Sequence, residues 1–429
     1  MANTYLTRTF GTDNSTVYKW TYSFWVKRSK LGSSQTITSP YVDANNLGWI
    51  SFLSSDALEI YDYQISNGGY KMRKVTTRLF RDTSAWYHIV IANDNSVASP
   101  DLKIYINGVQ ETSFSTDTEY DQNKDTLFNK NILNSIGRYP SAGYFDGSIS
   151  HFHFIDGTAY DATAFGSTDA TTGEWKINTS PSVTYGANGF FILKDTNSGT
   201  DQSGEGNNFT VGGGTLTKTE DCPSNVFATG NPLSSNVTMS NGNLTFSGTY
   251  NFKSTLAFSK GKYYAECKVT NSNTYNPQLG IGQVGSANID NPAGTGYAGN
   301  TPNSYHYERD GKIFANANGT AVQTGLTTVA QNDIVGIAVD LDSATKTIKW
   351  YINGTLSATQ NITETASEPY VFWTYASGSQ AGEGSWNFGN GYFGTTAVSS
   401  AGTNASGIGI FEYDVPTGYT ALSTKGLNL

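Results

Sequence analysis

Residues 102–108 read LKIYING, and this stretch predicts the class of the fold. Apolar side chains alternate with Lys and Tyr from Leu102 to Ile106, so one face of an extended strand is apolar. Asn107 and Gly108 close the strand, and this pair favours a type I′ turn because both residues take positive φ at low cost. The stretch therefore indicates a β-hairpin with one buried face.

The same pattern returns in the second half of the chain, where residues 348–354 read IKWYING. Comparable alternation occurs at 19–27 (KWTYSFWVK), 57–65 (ALEIYDYQI), 85–91 (AWYHIVI), 262–269 (KYYAECKV) and 333–339 (DIVGIAV). Sandwiches of two antiparallel sheets bury one face of each such strand. We therefore predict an all-β protein with two tandem antiparallel β-sandwiches of similar design.

The composition agrees with short strands and tight turns. Charged residues make up 14% of the 429 residues, against about 25% in average soluble proteins. Aromatic residues reach 13%, and there are 46 glycines. The low charge argues against long exposed helices, and the aromatic content argues against disorder.

A change in composition marks the expected domain boundary. Residues 194–218 are rich in Gly, Asn, Thr and Asp, and residues 219–235 carry two prolines and little periodicity. The sequence therefore predicts a first domain at 1–218, a linker at 219–235 and a second domain at 236–429.

The net charge of −9 and the absence of a basic stripe argue against a nucleic-acid partner. No apolar run approaches the roughly 18 residues that span a bilayer, so we expect no membrane insertion. The N-terminus lacks the apolar core of a signal peptide, which predicts synthesis in a cytosol without classical export. Cys222 and Cys267 form no disulfide framework, and both are expected to be free thiols.

Four segments in the first half resemble a concanavalin-A-like, laminin-G-like jelly roll over roughly residues 15–165. They are 20–28 (WTYSFWVKR), 80–91 (FRDTSAWYHIVI), 102–108 and 145–157 (FDGSISHFHFIDG). In that family, a strand ending in Trp-x-His precedes a hairpin with an Asn-Gly turn. The resemblance implies a jelly-roll fold, and it allows one calcium ion at a loop edge.

The second half resembles a SPRY-type sandwich. The matching pieces are 258–269 (FSKGKYYAECKV), 279–285 (LGIGQVG), 305–314 (YHYERDGKIF), 333–353 and 386–389 (WNFG). The tail 407–422 (GIGIFEYDVPTGYTAL) and the joining segment 222–233 (CPSNVFATGNPL) look like parts of tailed-bacteriophage proteins. Together the segments resemble virion structural proteins of marine and cyanobacterial phages.

This resemblance implies a non-enzymatic protein displayed on the virion and made in the host cytoplasm. It would act as an adhesin of a tail fibre or similar appendage, recognising a host-surface glycan or protein. A homo-oligomer, plausibly a trimer, in contact with other virion proteins is expected. Two alternatives stay open: a capsid or tail decoration protein that holds neighbouring subunits, and a polysaccharide-degrading glycosidase.

SPRY-like domains bind through loops at one edge of the sandwich, which here correspond to roughly 286–310 and 373–386. The ligand-binding candidates in these loops are Tyr297, Tyr305, Tyr307, Arg309, Trp373 and Tyr375. In the first domain, Trp49, Tyr61, Tyr63 and Tyr70 lie on or near alternating strands and are a second candidate set. Burial in the core is the alternative for any of these rings, and it is the expectation for Trp86, Trp350 and Trp386.

A retaining glycosidase would need two carboxylates about 5–5.5 Å apart. Glu59 and Asp62 are three residues apart, so on a strand they point to opposite faces. Glu412 and Asp414 share a face if their segment is extended, but no third carboxylate joins them. The sequence therefore predicts no enzyme activity.

Metal sites are also weakly indicated. His151 and His153 share one face of an expected strand and could bind zinc, with Asp146 or Asp156 brought near by folding. No Cys, and no Glu at the right spacing, completes the set, which favours two half-buried ring donors. His88 is expected to be a satisfied sheet residue, and His306 an exposed loop residue. Loop acids that could serve calcium are Asp43, Asp94, Asp117, Asp121, Asp125 and Asp195.

Overall fold

The computed structural model describes residues 3–11, 17–65, 70–140, 142–194, 198–233, 237–271, 277–286, 289, 302–316, 319–363, 368–376 and 381–429, with the backbone alone for Tyr70. The chain divides into two compact units, Met1–Lys218 (unit 1) and Thr219–Leu429 (unit 2). Each unit contains two large antiparallel sheets, so the predicted all-β fold with two tandem sandwiches is confirmed. Among the described residues, no helix has the length and apolar character to cross a membrane.

Unit 1 contains sixteen described strands. They are β1 (Tyr5–Thr9), β2 (Lys19–Arg28), β3 (Gln35–Asp43), β4 (Asn46–Phe52), β5 (Ala57–Gln64), β6 (Tyr70–Leu79), β7 (Trp86–Asp94), β8 (Lys103–Ile106), β9 (Val109–Gln110), β10 (Phe114–Thr118), β11 (Leu133–Ile136), β12 (Gly147–Asp156), β13 (Gly166–Thr168), β14 (Trp175–Ile177), β15 (Phe190–Ile192) and β16 (Thr210–Gly213). Short 3-10 turns lie at Leu127–Asn129 and Ala162–Ala164.

Two sheets of unit 1 enclose its core. The eight-stranded sheet has the order β10-β6-β5-β4-β3-β11-β1-β16, and the six-stranded sheet has the order β15-β12-β2-β7-β8-β9. Alternate residues of each strand supply the core, for example Phe24 on β2, Ile60 on β5 and Ile89 on β7, all 0% exposed. The intervening residues of β4, β5 and β6 therefore face away from the core.

Unit 2 repeats this arrangement with its own strands. They are β17 (Thr238–Ser240), β18 (Thr245–Gly248), β19 (Tyr250–Lys253), β20 (Lys262–Val269), β21 (Gln278–Gln283), β22 (Ser304–Glu308), β23 (Lys312–Ala315), β24 (Ile334–Asp340), β25 (Thr347–Ile352), β26 (Thr355–Asn361), β27 (Tyr370–Ala376), β28 (Gly382–Asn387), β29 (Tyr392–Phe393), β30 (Thr396–Ala397) and β31 (Thr420–Ala421). A 3-10 turn lies at Gly426–Asn428.

The larger sheet of unit 2 has the order β17-β18-β28-β20-β24-β25-β26, with β31 pairing in parallel with β20. The second sheet has the order β19-β27-β21-β22-β23. Trp350 and Trp386 are buried between the two sheets at 0% exposure, and Trp86 of unit 1 is 7% exposed, so all three expected core tryptophans are confirmed.

The repeated hairpin is built in the same way in both units. Asn107 and Asn353 each have a φ of 49° and are followed by Gly108 at 80° and Gly354 at 78°. The Asn107 Oδ1 accepts the His88 N–H at 2.8 Å, and the Asn353 Oδ1 accepts the Ile334 N–H at 2.9 Å. Each Asn side chain thus satisfies a backbone donor on the preceding strand, in addition to taking its place in the turn.

The expected linker 219–235 is corrected by the structure, because its described residues pack as part of unit 2. Phe227 and Ala228 are 1% and 0% exposed. The Ala228 N–H donates to the Leu422 carbonyl at 3.0 Å, and the Gly230 N–H donates to the Asn243 carbonyl at 2.8 Å. The low periodicity of this segment reflects an irregular backbone path and does not indicate exposure.

Candidate functional site

The outward-facing side chains of β3, β4, β5 and β6 form three cross-strand rows on the eight-stranded sheet. The first row is Thr36, Ser51, Glu59 and Val75; the second is Trp49, Tyr61 and Arg73; the third is Tyr41, Leu47, Tyr63 and Lys71. Directly opposed residues of antiparallel strands point to the same side, with Cβ atoms about 5 Å apart. The register alone therefore places four aromatic rings beside two cationic side chains.

The rings of this face contact one another and remain partly exposed. The Trp49 and Tyr61 rings stack with centroids 4.5 Å apart, and Tyr61 and Tyr63 lie 6.4 Å apart. Tyr139, from the segment after β11, meets Trp49 edge to face at 5.6 Å and Tyr41 at 5.8 Å. All five rings are of intermediate exposure.

Four of these rings, all except that of Tyr41, line an open groove of about 590 Å³, hereafter the aromatic groove. Its lining residues are Ser34, Thr36, Ala44, Leu47, Trp49, Ser51, Leu53, Glu59, Tyr61, Tyr63, Tyr139, Ala142 and Gly143. Binding sites for small ligands are commonly concave, mostly apolar and supplied with a few fixed polar groups. The aromatic groove has this composition.

Glu59 is the buried polar group of the aromatic groove, at 2% exposure. Its Oε2 accepts the Trp49 Nε1–H at 2.7 Å, and its Oε1 accepts the Arg73 Nε–H at 2.7 Å. The carboxylate therefore fixes the indole of Trp49 and the guanidinium of Arg73 at once. Both bonds involve a charged acceptor, which makes them stronger than neutral hydrogen bonds.

Further hydroxyl groups surround the rings. The Ser51 Oγ–H donates to the Thr36 Oγ1 at 2.9 Å beside Glu59. Burial raises the pKa of both Tyr61 and Tyr139, and neighbouring Tyr63 and Tyr41 add to the effect. Both phenols are therefore protonated at neutral pH and can donate as well as accept hydrogen bonds.

The SPRY-type candidates occupy a different environment from the one expected. Tyr305 and Tyr307 lie on β22, and Trp373 and Tyr375 lie on β27, with exposures of 0%, 1%, 0% and 4%. Their expected position in exposed loops is therefore wrong, because alternating residues of these strands fill packed faces on both sides. Tyr297 lies outside the described residues.

Arg309 follows β22 and is 7% exposed. Its Nε and Nη2 donate to the Val329 carbonyl at 3.0 and 2.9 Å, and its Nη1 donates to the Asn271 carbonyl at 2.7 Å. Burial lowers the pKa of this guanidinium, with Asp333 opposing the shift. These contacts connect the end of β22 to the backbone at Val329 and Asn271. The expectation that Arg309 faces a ligand is therefore wrong.

The histidines are sheet residues. His88 is 1% exposed, accepts the Trp175 Nε1–H on Nδ1 at 2.9 Å, and lies 2.9 Å from the Ser23 Oγ through Nε2. This confirms the expected satisfied residue, and burial lowers its pKa to about 3. His306 lies on β22 at 0% exposure against Phe314, so its predicted exposure is wrong.

No group of three His, Cys, Asp or Glu side chains among the described residues is arranged to hold a metal ion. Asp43 accepts the Asn45 N–H, Asp94 pairs with Lys19, and Asp117 pairs with the buried Lys74. Asp195 lies outside the described residues. Calcium at a loop edge stays a prediction.

The carboxylate pairs considered for catalysis are now placed. Glu59 faces the aromatic groove, whereas Asp62 faces inwards and accepts hydrogen bonds from the Tyr120 hydroxyl and the Leu127 N–H, both at 2.9 Å. Their predicted opposite orientation is confirmed. Glu412 and Asp414 lie in an irregular segment, where they accept the Ser399 and Thr403 N–H groups at 2.7 Å.

Sequence reasoning named Trp49, Tyr61 and Tyr63, together with Tyr70, whose side chain lies outside the described part of the structure. It did not identify the other members of this face, namely Tyr139 and Glu59 in the groove and Tyr41, Lys71 and Arg73 beside it. One signal for them was present. Residues 49, 61 and 63 are aromatic although Ile50 and Ile60 already supply the core face of the same strands. Aromatic residues on the second face of a one-sided strand indicate a functional surface.

Comparison with known proteins bears on unit 1 most directly. Residues 2–163 match the concanavalin A-like lectin/glucanases superfamily. No curated protein matches the chain. The match supports a concanavalin A-like, laminin-G-like character for residues 2–163, which is compatible with binding carbohydrate or protein.

Solved structures similar to this chain include three of different kinds. The SPRY domain of human HERC1 is 16% identical, with 37% of this chain and 96% of that chain covered and a TM-score of 0.30. Domains LG4-5 of the mouse laminin α1 chain are 10% identical, with 90% and 84% covered and a TM-score of 0.30. Domain 4 of the arabinanase AbnA from Geobacillus stearothermophilus, in complex with arabinotriose, is 21% identical, with 33% and 63% covered and a TM-score of 0.26.

Proposed function

We propose that this chain is a non-enzymatic binding protein whose unit 1 recognises a glycan through the aromatic groove. The observation that carries the proposal is the set of partly exposed rings around the buried, fully engaged carboxylate of Glu59. Aromatic rings offer large apolar contact area with little conformational entropy to lose. Hydroxyl groups beside them can bond the hydroxyls of a sugar ring.

The state of Glu59 supports the absence of catalysis. Both carboxylate oxygens already accept hydrogen bonds from Trp49 and Arg73. No second acid lines the groove among the described residues, whereas glycoside hydrolysis by the usual routes needs a pair. A carboxylate held in this way orients neighbouring side chains and is poorly placed to act as a nucleophile.

The sequence resemblance to phage virion proteins supports a proposal for where the protein acts. We propose display on a tailed-phage virion, assembly in the host cytoplasm and action as a homo-oligomeric adhesin that contacts other virion proteins. The glycan would then belong to the host surface. Decoration of the capsid or tail is the second candidate, since the exposed groove can equally seat a neighbouring virion protein.

The binding proposal is tested with the purified full chain on a glycan array, comparing wild type with Trp49→Ala. We expect the substitution to reduce binding more than tenfold, because it removes the central ring and leaves Glu59 without its indole donor. Tyr392→Ala, a partly exposed ring on β29 of unit 2, is the matched control and should bind as wild type. Unchanged binding by Trp49→Ala, or no bound glycan across the array, would reject the proposal.

The setting is tested separately by locating the chain on purified virions by cryo-electron microscopy. Density at the distal end of an appendage supports the adhesin. Density lying flat against the capsid or tail tube supports the decoration role, and the groove should then contain a side chain of a neighbouring subunit. Absence of the chain from the particle would reject both virion roles.

A further inference from the structure

The aromatic groove is electrically asymmetric, and this asymmetry points to the class of glycan. Where they cross β6, two of the three rows carry a cation, Arg73 beside Tyr61 and Lys71 beside Tyr63. These two side chains lie next to the residues that line the groove. The acid in the rows, Glu59, is 2% exposed and already paired with Arg73. The described rows therefore carry a net charge of +1 in a chain whose net charge is −9.

Lys71 and Arg73 have hydrogen-bond donors that no described residue engages. Arg73 donates to Glu59 through Nε, and its other two nitrogens make no hydrogen bond to a described residue; its side chain is 38% exposed. Lys71 is exposed and makes no ion pair among the described residues. Its Nζ lies 5.4 Å from the centroid of the Tyr61 ring.

This geometry suits an anion that is attached to a sugar. A guanidinium held through Nε keeps its terminal nitrogens directed as a fork, which matches the spacing of carboxylate or sulfate oxygens. An ammonium group beside Tyr61 adds a second, adjustable charge contact. The neighbouring rings would meanwhile cover the apolar face of the sugar.

We infer that the groove binds an acidic glycan, with the anionic group of a uronate, sialate or sulfated sugar held between Lys71 and Arg73. This inference rests on the proposed function, since it names the ligand class of the same site. It makes Lys71 a specificity-determining residue and Arg73 both a ligand contact and the partner that neutralises Glu59.

The experiment uses a glycan array with matched pairs that differ only in charge: sialylated and asialo chains, uronates and their methyl esters, sulfated and unsulfated sugars. Wild type should prefer the acidic member of at least one pair, and the pair identifies the anion. Lys71→Gln should weaken binding to that member about three- to tenfold and leave the neutral member unchanged, as expected for one charge contact. Raising the salt concentration should reduce the preference in wild type.

Lys103→Gln is the control, because Lys103 is an exposed lysine on β8 in the other sheet. It should bind as wild type. Two outcomes would overturn the acidic-glycan inference: equal binding of acidic and neutral members, or an unchanged preference in Lys71→Gln. If Trp49→Ala still loses binding in either case, the proposed function stands. If Trp49→Ala bound glycan as well as wild type, or if no glycan bound at all, both the inference and the proposed function would be overturned.

Discussion

The outer face of the eight-stranded sheet in unit 1 and the outer face of the five-stranded sheet in unit 2 are both aromatic, but only one of them is open. In unit 1 the Trp49 ring is of intermediate exposure at the centre of the groove. In unit 2, Trp373 on β27 is 0% exposed and packs in a cluster with Val371, Tyr375 and Ile289.

The two tryptophans also use their indole nitrogens differently. The Trp49 Nε1–H donates to the charged Glu59, which lies on the exposed face. The Trp373 Nε1–H donates to the Asn251 Oδ1 at 3.0 Å, and Asn251 is 0% exposed. Similar strand patterns thus give an open aromatic face when the second side stays uncovered, and a second small core when other segments of the unit cover it.

Replacing each tryptophan by alanine should separate these two roles, and this is the largest expected effect. Trp373→Ala should destabilise the protein by about 3–5 kcal/mol, because it removes a fully buried ring and its hydrogen bond to the Asn251 Oδ1. Trp49→Ala should cost about 1–2 kcal/mol, since its ring is already partly hydrated. Urea unfolding of the full chain measures both.

The comparison would fail if the two variants unfolded at the same urea concentration. Equal losses would mean that the Trp49 face is also covered in solution, for instance by self-association. Measuring unfolding at two protein concentrations distinguishes this case, because association makes stability depend on concentration.

The repeated hairpins offer a second comparison between the units. A Cβ atom added at Gly108 would lie 2.3 Å from the Trp175 ring, and one at Gly354 would lie 2.6 Å from the Tyr413 ring. Both glycines also have positive φ. A single aromatic residue from later in the chain therefore covers the turn in each unit.

Gly108→Ala and Gly354→Ala should each cost about 2–3 kcal/mol, as backbone strain and ring displacement add. Gly32→Ala is the matched control, because Gly32 has a φ of 68° with nothing within 4 Å of the added Cβ atom. Its cost should be about 1 kcal/mol, from strain alone. Losses no larger than that control, measured by urea unfolding, would show that the covering rings move aside freely.

Much of the fold was predictable from local pattern. Alternation gave the strands, and the two Asn-Gly pairs located equivalent hairpins, because turn chemistry acts over a few residues. The candidate site was predictable only in part. Trp49, Tyr61 and Tyr63 were identified, whereas Tyr139 joins them from a segment about 80 residues away, and that contact depends on sheet order.

The incorrect placements share one physical cause. The four aromatic candidates of unit 2 were expected in loops, because the SPRY resemblance places binding loops at roughly 286–310 and 373–386. They are Tyr305, Tyr307, Trp373 and Tyr375. These residues lie on strands buried on both faces, and period-two alternation gives no signal when both faces are covered. Whether a second face is covered depends on the path of distant chain, which local sequence does not encode.

The last and smallest expected effect concerns Glu266 of unit 2, which, like Glu59 of unit 1, is a buried carboxylate that accepts hydrogen bonds. Glu266 is 0% exposed on β20 and accepts the Glu412 and Tyr413 N–H groups at 2.9 Å, tying the C-terminal segment to the sheet. Burial raises its pKa to about 7, against the hydrogen bonds that lower it. The folded state therefore binds this proton more tightly than the unfolded state, so protonation stabilises it.

This stabilisation should be fully present below the unfolded pKa of about 4.5 and lost as the pH rises through about 7. The stability of wild type relative to Glu266→Gln should accordingly fall by about 1–2 kcal/mol between pH 5 and pH 8, since glutamine does not titrate. Urea unfolding at the two pH values measures the difference. A stability difference independent of pH would mean that Glu266 is as well solvated by its donors as a carboxylate in water, and that the C-terminal segment is held by a permanent charge.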